Sequence, residues 1–432
     1  MSKLIIKNAR VIDPFTDTDG AFDVLIEGER VKEMRGRGKS EERKGKREKG
    51  RMKRKERRVI NARGLLVIPG LVDMHTHLRE PGREDEETIL SGTMSALKGG
   101  YQAVVCMANT EPPVDNLGIV KYIREAERVC DVYPVGAVTK GLKGVELSEI
   151  GDLVNAGCVA VSDDGMPIMN SFIMRRALEY CKQFGIPVIS HTEDLNLSSG
   201  VMNEGIVSTE LGLPGIPSCA EEAMVARDIL LARFTESKLH IAHISTKGSI
   251  ELVRRAKKEG VNVTCEATPH HLSLTDECVR SFNTNYKMNP PLRTEVDRKA
   301  VIEGLVDDTI DMIATDHAPH ADFEKELEFD RAPSGVIGLE TALACGITYL
   351  VKPGLMDMKQ LLRKFTVNPT RILSLSIRGI SAGEYANLAI VDPTCEWIPQ
   401  KFLSKSKNSP FIGKKLYGKV LYTLYKGKLY EW

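Results

Sequence analysis

Leu66-Val67-Ile68-Pro69-Gly70-Leu71-Val72-Asp73-Met74-His75-Thr76-His77 sets an apolar run directly ahead of two histidines two residues apart. Side chains of an extended chain alternate between its two faces, so His75 and His77 point to the same side and both imidazoles can reach one ion. An apolar run that delivers polar groups at its C-terminal end is how a (β/α)₈ barrel builds a site. The pattern recurs along the chain. Further apolar runs lie at 103–107, 132–138, 158–162, 186–190, 239–244, 261–265 and 310–314, and the stretches 119–130, 171–184 and 249–259 between them have helical periodicity. Eight βα units of this length predict a closed parallel barrel, and no Gly-rich dinucleotide loop follows the first run to suggest an open sheet.

Outside this middle the chain changes character. Residues 4–13 and 21–27 near the start, and 386–393 and 419–430 near the end, are short β-rich runs punctuated by turns such as Asp13-Pro14. The expected fold is therefore α/β, a (β/α)₈ TIM barrel at 67–375 with a small composite β-sandwich domain formed by residues 1–66 and 376–432. Residues 35–58 are crowded with Arg and Lys and almost empty of apolar side chains, so they cannot join a core. They read as a solvated insert in the β unit. A nucleic-acid patch is the rival reading, and the lack of stacking aromatics in the insert argues against it.

With 432 residues, 42% of them hydrophobic, the chain can bury a large core. A net charge of +1 recommends neither nucleic acid nor a membrane surface as partner. No early segment has the form of a signal peptide and no stretch approaches a membrane span, so a cytoplasmic protein is expected. The nine cysteines are scattered without CxxC spacing, which reads as small core residues in a reducing compartment.

Polar groups recur just after the apolar runs. His75 and His77 follow the first, Asp163-Asp164 the fourth, His191 the fifth, His243 the sixth and Asp316-His317 the eighth. Any one of them alone reads more often as a hydrogen-bonded core or loop residue than as a ligand. Converging in one funnel, they would repel or stay unsatisfied without a cation. Imidazole nitrogen and carboxylate oxygen suit Zn²⁺, and there are too many donors for one tetrahedral ion, so two metals are expected. Such ions activate water and polarise a carbonyl, the requirement for attacking an unactivated amide. Arg79, two residues past His77, would point into the same funnel if the chain stays extended, and its fork matches a carboxylate.

Asp73-Met74-His75-Thr76-His77-Leu78-Arg79-Glu80-Pro81-Gly82 together with Asp316-His317-Ala318-Pro319-His320 resembles the signature pair of dihydroorotases, in the amidohydrolase superfamily. The resemblance extends through Ala108-Asn109-Thr110, Ser162-Asp163-Asp164-Gly165, Ser190-His191, His243-Ile244-Ser245 and Met288-Asn289-Pro290-Pro291-Leu292-Arg293, with only the basic insert departing from it. It implies reversible ring closure of N-carbamoyl-L-aspartate to dihydroorotate, the third step of pyrimidine synthesis, with two Zn²⁺ per chain. Carried over by position, His75 and His77 hold one zinc, His191 and His243 the other, and Asp164 bridges them, with Asp163 as the fallback. The aspartate pair resembles bacterial-type members that bridge with Asp, so Lys140 is not expected to be carboxylated.

By the same resemblance Asp316 is general acid and base and a ligand of the first zinc. Arg79, Asn109 and His320 meet the substrate carboxylate, and Asn289, Ser334 and Gly335 the ring edge; His77 also adjoins substrate. The resemblance brings in a homo-oligomer and, as a candidate partner, aspartate carbamoyltransferase. The acidic segment 321–333 reads equally as a lid over substrate and as an ordinary exposed loop. The nearest rival enzymes, hydantoinase, dihydropyrimidinase and allantoinase, need no side chain for a ring carboxylate, so Arg79 discriminates. A catalytically dead, structural relative would have lost metal positions that are all filled here.

Overall fold

The computed structural model describes residues 3–36 and 57–432; of the basic insert, 37–56 lie outside the described residues. The N-terminal strands are β1 (Lys3–Asp13), β2 (Thr18–Glu27), β3 (Arg30–Gly36), β4 (Arg57–Asn61) and β5 (Leu66–Pro69). The barrel strands follow as β6 (Leu71–Thr76), β7 (Tyr101–Cys106), β8 (Asp131–Gly136), β9 (Ala160–Val161) and β10 (Val188–Ser190). A short parallel pair, β11 (Met202–Asn203) and β12 (Gly215–Ile216), precedes β13 (Leu239–Ile241), β14 (Val263–Ala267) and β15 (Met312–Ile313). The chain closes with β16 (Leu388–Trp397), β17 (Leu416–Tyr425) and β18 (Lys428–Glu431).

Strands β6, β7, β8, β9, β10, β13, β14 and β15 form a parallel sheet in sequence order. Its ends meet through a parallel bridge between Thr76 and His317, with the His77 N–H donating to the His317 carbonyl at 2.8 Å, so the barrel is closed. Each of the eight apolar runs overlaps one of these strands. Alternation along the strands divides the core in two. Val105, Val135, Ala160, Ile189, Ala242 and Met312 pack together inside the barrel. Val104, Cys106, Val161, Val188, Ile241 and Ile313 face the surrounding helices, against residues such as Leu97, Val120, Met174 and Val253. The helices start where the sequence supplies caps: Asn170 accepts from the Phe172 N–H ahead of the helix Ser171–Phe184, and Thr246 accepts from the Ser249 N–H ahead of Lys247–Lys258.

The run 66–75 is not one strand. It breaks at Gly70 between β5, which pairs with β1 and β16, and β6, which enters the barrel. The break falls where the chain passes hard against Gln102, whose side chain would lie 2.6 Å from a Cβ at Gly70. Strands β1 to β5 and β16 to β18 share one hydrogen-bonded sheet, whose core joins Ile6, Val11, Val24 and Val67 from the first part of the chain to Leu388, Ile390 and Leu424 from the last. All nine cysteines are free, and six of them are buried.

Candidate active site

The site residues sit at or just beyond the C-terminal ends of barrel strands: His75 within β6 and His77 just after it, Asn109 after β7, Asp164 after β9, His191 after β10, His243 after β13 and Asp316 after β15. Asp164 lies at the centre. Its Oδ2 is 3.1 Å from His75 Nε2 and 3.4 Å from His77 Nε2, while Oδ1 is 3.5 Å from His191 Nδ1 and 3.3 Å from His243 Nε2. One carboxylate oxygen thus serves each histidine pair. Asp316 Oδ1 joins the first pair, 3.1 Å from His77 Nε2 and 3.6 Å from His75 Nε2. His75, His77 and Asp164 form one group able to hold a metal ion, and Asp164, His191 and His243 a second.

The outer nitrogens of three of these rings explain why the inner ones are free to ligate. His75 Nδ1 lies 2.6 Å from Glu266 Oε1, His77 Nδ1 2.8 Å from Asn109 Oδ1, and His191 Nε2 3.1 Å from Glu193 Oε2. Each oxygen accepts the ring proton, which leaves a lone pair on the nitrogen turned toward Asp164. His191 Nδ1 and His243 Nε2 face each other at 3.0 Å, a contact that needs a proton or a cation between them. Asp164 Oδ1 is buried with no hydrogen-bond partner. This donor set fits divalent metal ions. Burial works against charge on Asp164, yet the adjacent His75, His191 and His243 hold it well below the usual carboxylate range.

Asp163 is excluded from the cluster, because its oxygens accept from the Val138 and Thr139 N–H groups at 2.8 and 3.0 Å and from the Thr139 hydroxyl. Lys140 is also elsewhere, half-exposed and 2.6 Å from Glu146.

Beside the cluster opens a cavity of about 220 Å³ lined by His77, Arg79, Asn109, Asp164, His191, His243, Asn289, Asp316, His320, Ser334 and Gly335, among others. Of the residues expected to hold metal, move a proton or meet substrate, only His75 is not in its wall; it lies fully buried behind. Arg79 arrives by a different route from the one expected. Its φ of 62° is left-handed, not extended, and the side chain is positioned by a 2.9 Å ion pair with Glu86 and a 3.1 Å hydrogen bond to the Pro319 carbonyl. His243 (φ 30°) and Asp316 (φ 46°) share this uncommon backbone region, so three site residues carry local strain. His320 has Nδ1 2.9 Å from Glu86 Oε1 and Nε2 2.9 Å from the Ser334 carbonyl. Asn289 Nδ2 donates to Glu193 at 2.9 Å, which leaves its amide oxygen as the free acceptor.

The sequence reading missed Glu86, Glu193 and Glu266. Glu193 is two residues past His191, and Glu266 directly follows the seventh apolar run, so strand-end position was a usable signal for both. Glu86 sits in an acidic stretch that gives no such signal. Segment 321–333 begins with the short helix Asp322–Lys325, from which Lys325 turns inward; its Nζ donates to the carbonyls of Pro333 at 2.9 Å and Gly335 at 3.1 Å. Among the described residues, no helix is long and apolar enough to cross a membrane.

The sequence model of the family described as Dihydro-orotase-like matches residues 64–249. Dihydroorotase of Geotalea daltonii is 50% identical over 432 residues, covering 99% of this chain and 98% of its own. That of Acetivibrio thermocellus is 52% identical with the same coverage. Among solved structures, L-hydantoinase from Arthrobacter aurescens superposes with a TM-score of 0.85 at 22% identity, covering 99% of this chain and 96% of its own. Dihydropyrimidinase from Brevibacillus agri gives 0.82 at 21% identity, covering 99% and 94%. These two likenesses show the barrel fold. Identity at this level along essentially the whole length shows that the chain belongs to the dihydroorotase family.

Proposed function

We propose that this protein is a dihydroorotase, a metal-dependent cyclic amide hydrolase that interconverts N-carbamoyl-L-aspartate and dihydroorotate in pyrimidine synthesis. The observation that carries the reading is Asp164, which offers one oxygen to His75 and His77 and the other to His191 and His243 beside a cavity that also holds Arg79. In this reading two Zn²⁺ would be held by the two histidine pairs and by Asp164 between them, with Asp316 joining the first pair. Bound there, the ions would lower the pKa of water and polarise the amide carbonyl.

The chain's own residues do the rest. Asp316 Oδ takes the proton of the attacking water and hands it to the ring nitrogen that leaves; in ring closure it takes that proton from the nitrogen and returns it to the hydroxyl that leaves as water. Burial opposes its ionisation, but the neighbouring His77 and His75 keep it ionised and ready to accept. Arg79, Asn109 and His320 meet the substrate carboxylate, a charge-assisted contact in a nearly dry wall. Asn289 turns its amide oxygen to a ring N–H because Glu193 engages its nitrogen, and Ser334 and Gly335 complete the ring edge. The two-unit division at 67 and 375, a cytoplasmic homo-oligomer and association with aspartate carbamoyltransferase belong to the same reading, supported by family membership.

Purified protein assayed for dihydroorotate hydrolysis alongside metal analysis tests it. About two zinc ions per chain and activity abolished by chelation are expected. Protein loaded with excess zinc that retains no tightly bound metal would show that the cluster has been misread.

A further inference from the structure

Between β16 and β17 the chain leaves the small sheet and crosses to the barrel mouth as Leu403-Ser404-Lys405-Ser406-Lys407-Asn408-Ser409. The composition is that of a solvated loop, yet Ser404, Ser406, Asn408 and Ser409 are buried while Lys405 and Lys407 stay outside. Buried polar groups cost free energy unless they are paired. Here the pairing begins with the stretch that carries Glu86 and Glu87. The Ser404 hydroxyl donates to Glu87, and that of Ser406 donates to the Glu86 carbonyl at 2.6 Å.

Asn408 reaches furthest. Its Nδ2 donates to the carbonyls of Ala318 at 3.0 Å and Gly335 at 3.1 Å, and its Oδ1 accepts from the His320 N–H at 3.2 Å. Its own carbonyl accepts from the Ile337 N–H at 3.0 Å. One side chain from the β unit therefore clamps together segment 318–320, which carries His320, and segment 335–337, which begins at Gly335. Both His320 and Gly335 line the cavity.

We propose that Asn408 is a positioning residue for the carboxylate end of the substrate, fixing the spacing between His320 and Gly335 and with it the width of the cavity there. The inference rests on the dihydroorotase reading. The hydrogen bonds of Asn408 go to none of the residues assigned to metal or to proton transfer, so its loss should fall on substrate binding and leave the metals in place. A small displacement of a contact group is enough for a large kinetic effect.

The test is steady-state kinetics with dihydroorotate on the wild type, Asn408→Ala and Asn408→Asp, with zinc content and thermal melting measured on each. The aspartate keeps the size and the acceptor for the His320 N–H but sets oxygen against two carbonyls. Both variants are expected to raise KM by about 10-fold to 10²-fold with a smaller change in kcat, at wild-type zinc content. A KM within about twofold of wild type in both variants would overturn the inference. So would loss of zinc or of the folded state in both, since Asn408 would then support the fold at large. If the wild type itself does not turn over dihydroorotate, the functional reading falls and this inference with it; wild-type turnover with unchanged KM in the variants sinks this inference alone.

Discussion

Arg79 and Glu86 form a largely buried ion pair, Nε to Oε2 at 2.9 Å. The pair ties down one edge of the guanidinium, and Nη2 lies 3.5 Å from His320 Nε2 at the cavity wall. Truncating one partner of a buried charge pair is costly because the other is left unpaired.

Arg79→Ala is therefore expected to lower kcat/KM for dihydroorotate by about 10² to 10⁴, the effect of losing a buried charge-assisted contact. Arg79→Lys keeps the charge, but a single ammonium cannot replace the fork toward both Glu86 and a ligand carboxylate, so it should also be impaired. Dihydrouracil carries no carboxylate; its turnover should be negligible in the wild type and no lower in Arg79→Ala. Kinetics of both proteins on both substrates check this, and a wild type that prefers dihydrouracil, a hydantoin or allantoin would remove the dihydroorotase assignment while sparing the metal hydrolase.

Metal content separates Asp164 from Lys140. Asp164→Ala should lose one or both ions, since its two oxygens each face a histidine pair. Lys140→Ala should keep them, because that ammonium is half-exposed against Glu146. Elemental analysis showing the reverse pattern would make a carboxylated lysine the bridge.

Asp316→Asn preserves size while abolishing proton acceptance. Turnover should drop about 10²-fold or more, general acid and base catalysis being worth roughly 10² to 10⁴. Near-normal kcat would transfer the proton to another group.

Lys325 provides a stability test that needs no substrate. Burial, reinforced by the nearby Lys287, lowers its ammonium from 10.5 to about 7. Between those values the unfolded chain holds a proton that the folded chain has shed, so this residue makes stability rise with pH across the window; below about pH 7 its cost is fully present. Lys325→Met should flatten the rise in melting temperature between pH 7 and 10 relative to wild type. Identical slopes for the two proteins would show that Lys325 keeps its proton in the fold.

The candidate site was legible because the side chains able to hold metal are written at strand ends. His75, His77, His191, His243 and Asp316 each follow an apolar run, and the structure brings these side chains together around Asp164. The resemblance already preferred Asp164 over Asp163, but the physical reason is tertiary: Val138 and Thr139 occupy the oxygens of Asp163. The route of Arg79 was misread for a related reason: the alternation rule assumes extended backbone, and a φ of 62° breaks it.

By itself the sequence determined the barrel, the composite β unit and the metal-binding constellation, because hydrophobic periodicity and strand-end placement are local properties of the chain. The closure of the barrel between Thr76 and His317, the carboxylates Glu193 and Glu266 behind the histidines, and the reach of Asn408 from the far β unit to the cavity were decided only by tertiary structure. Those contacts pair groups far apart in the chain or fix which way a side chain turns. A buried asparagine in a run of serines and lysines has the composition of a surface loop, and only the carbonyls it meets make it part of the site.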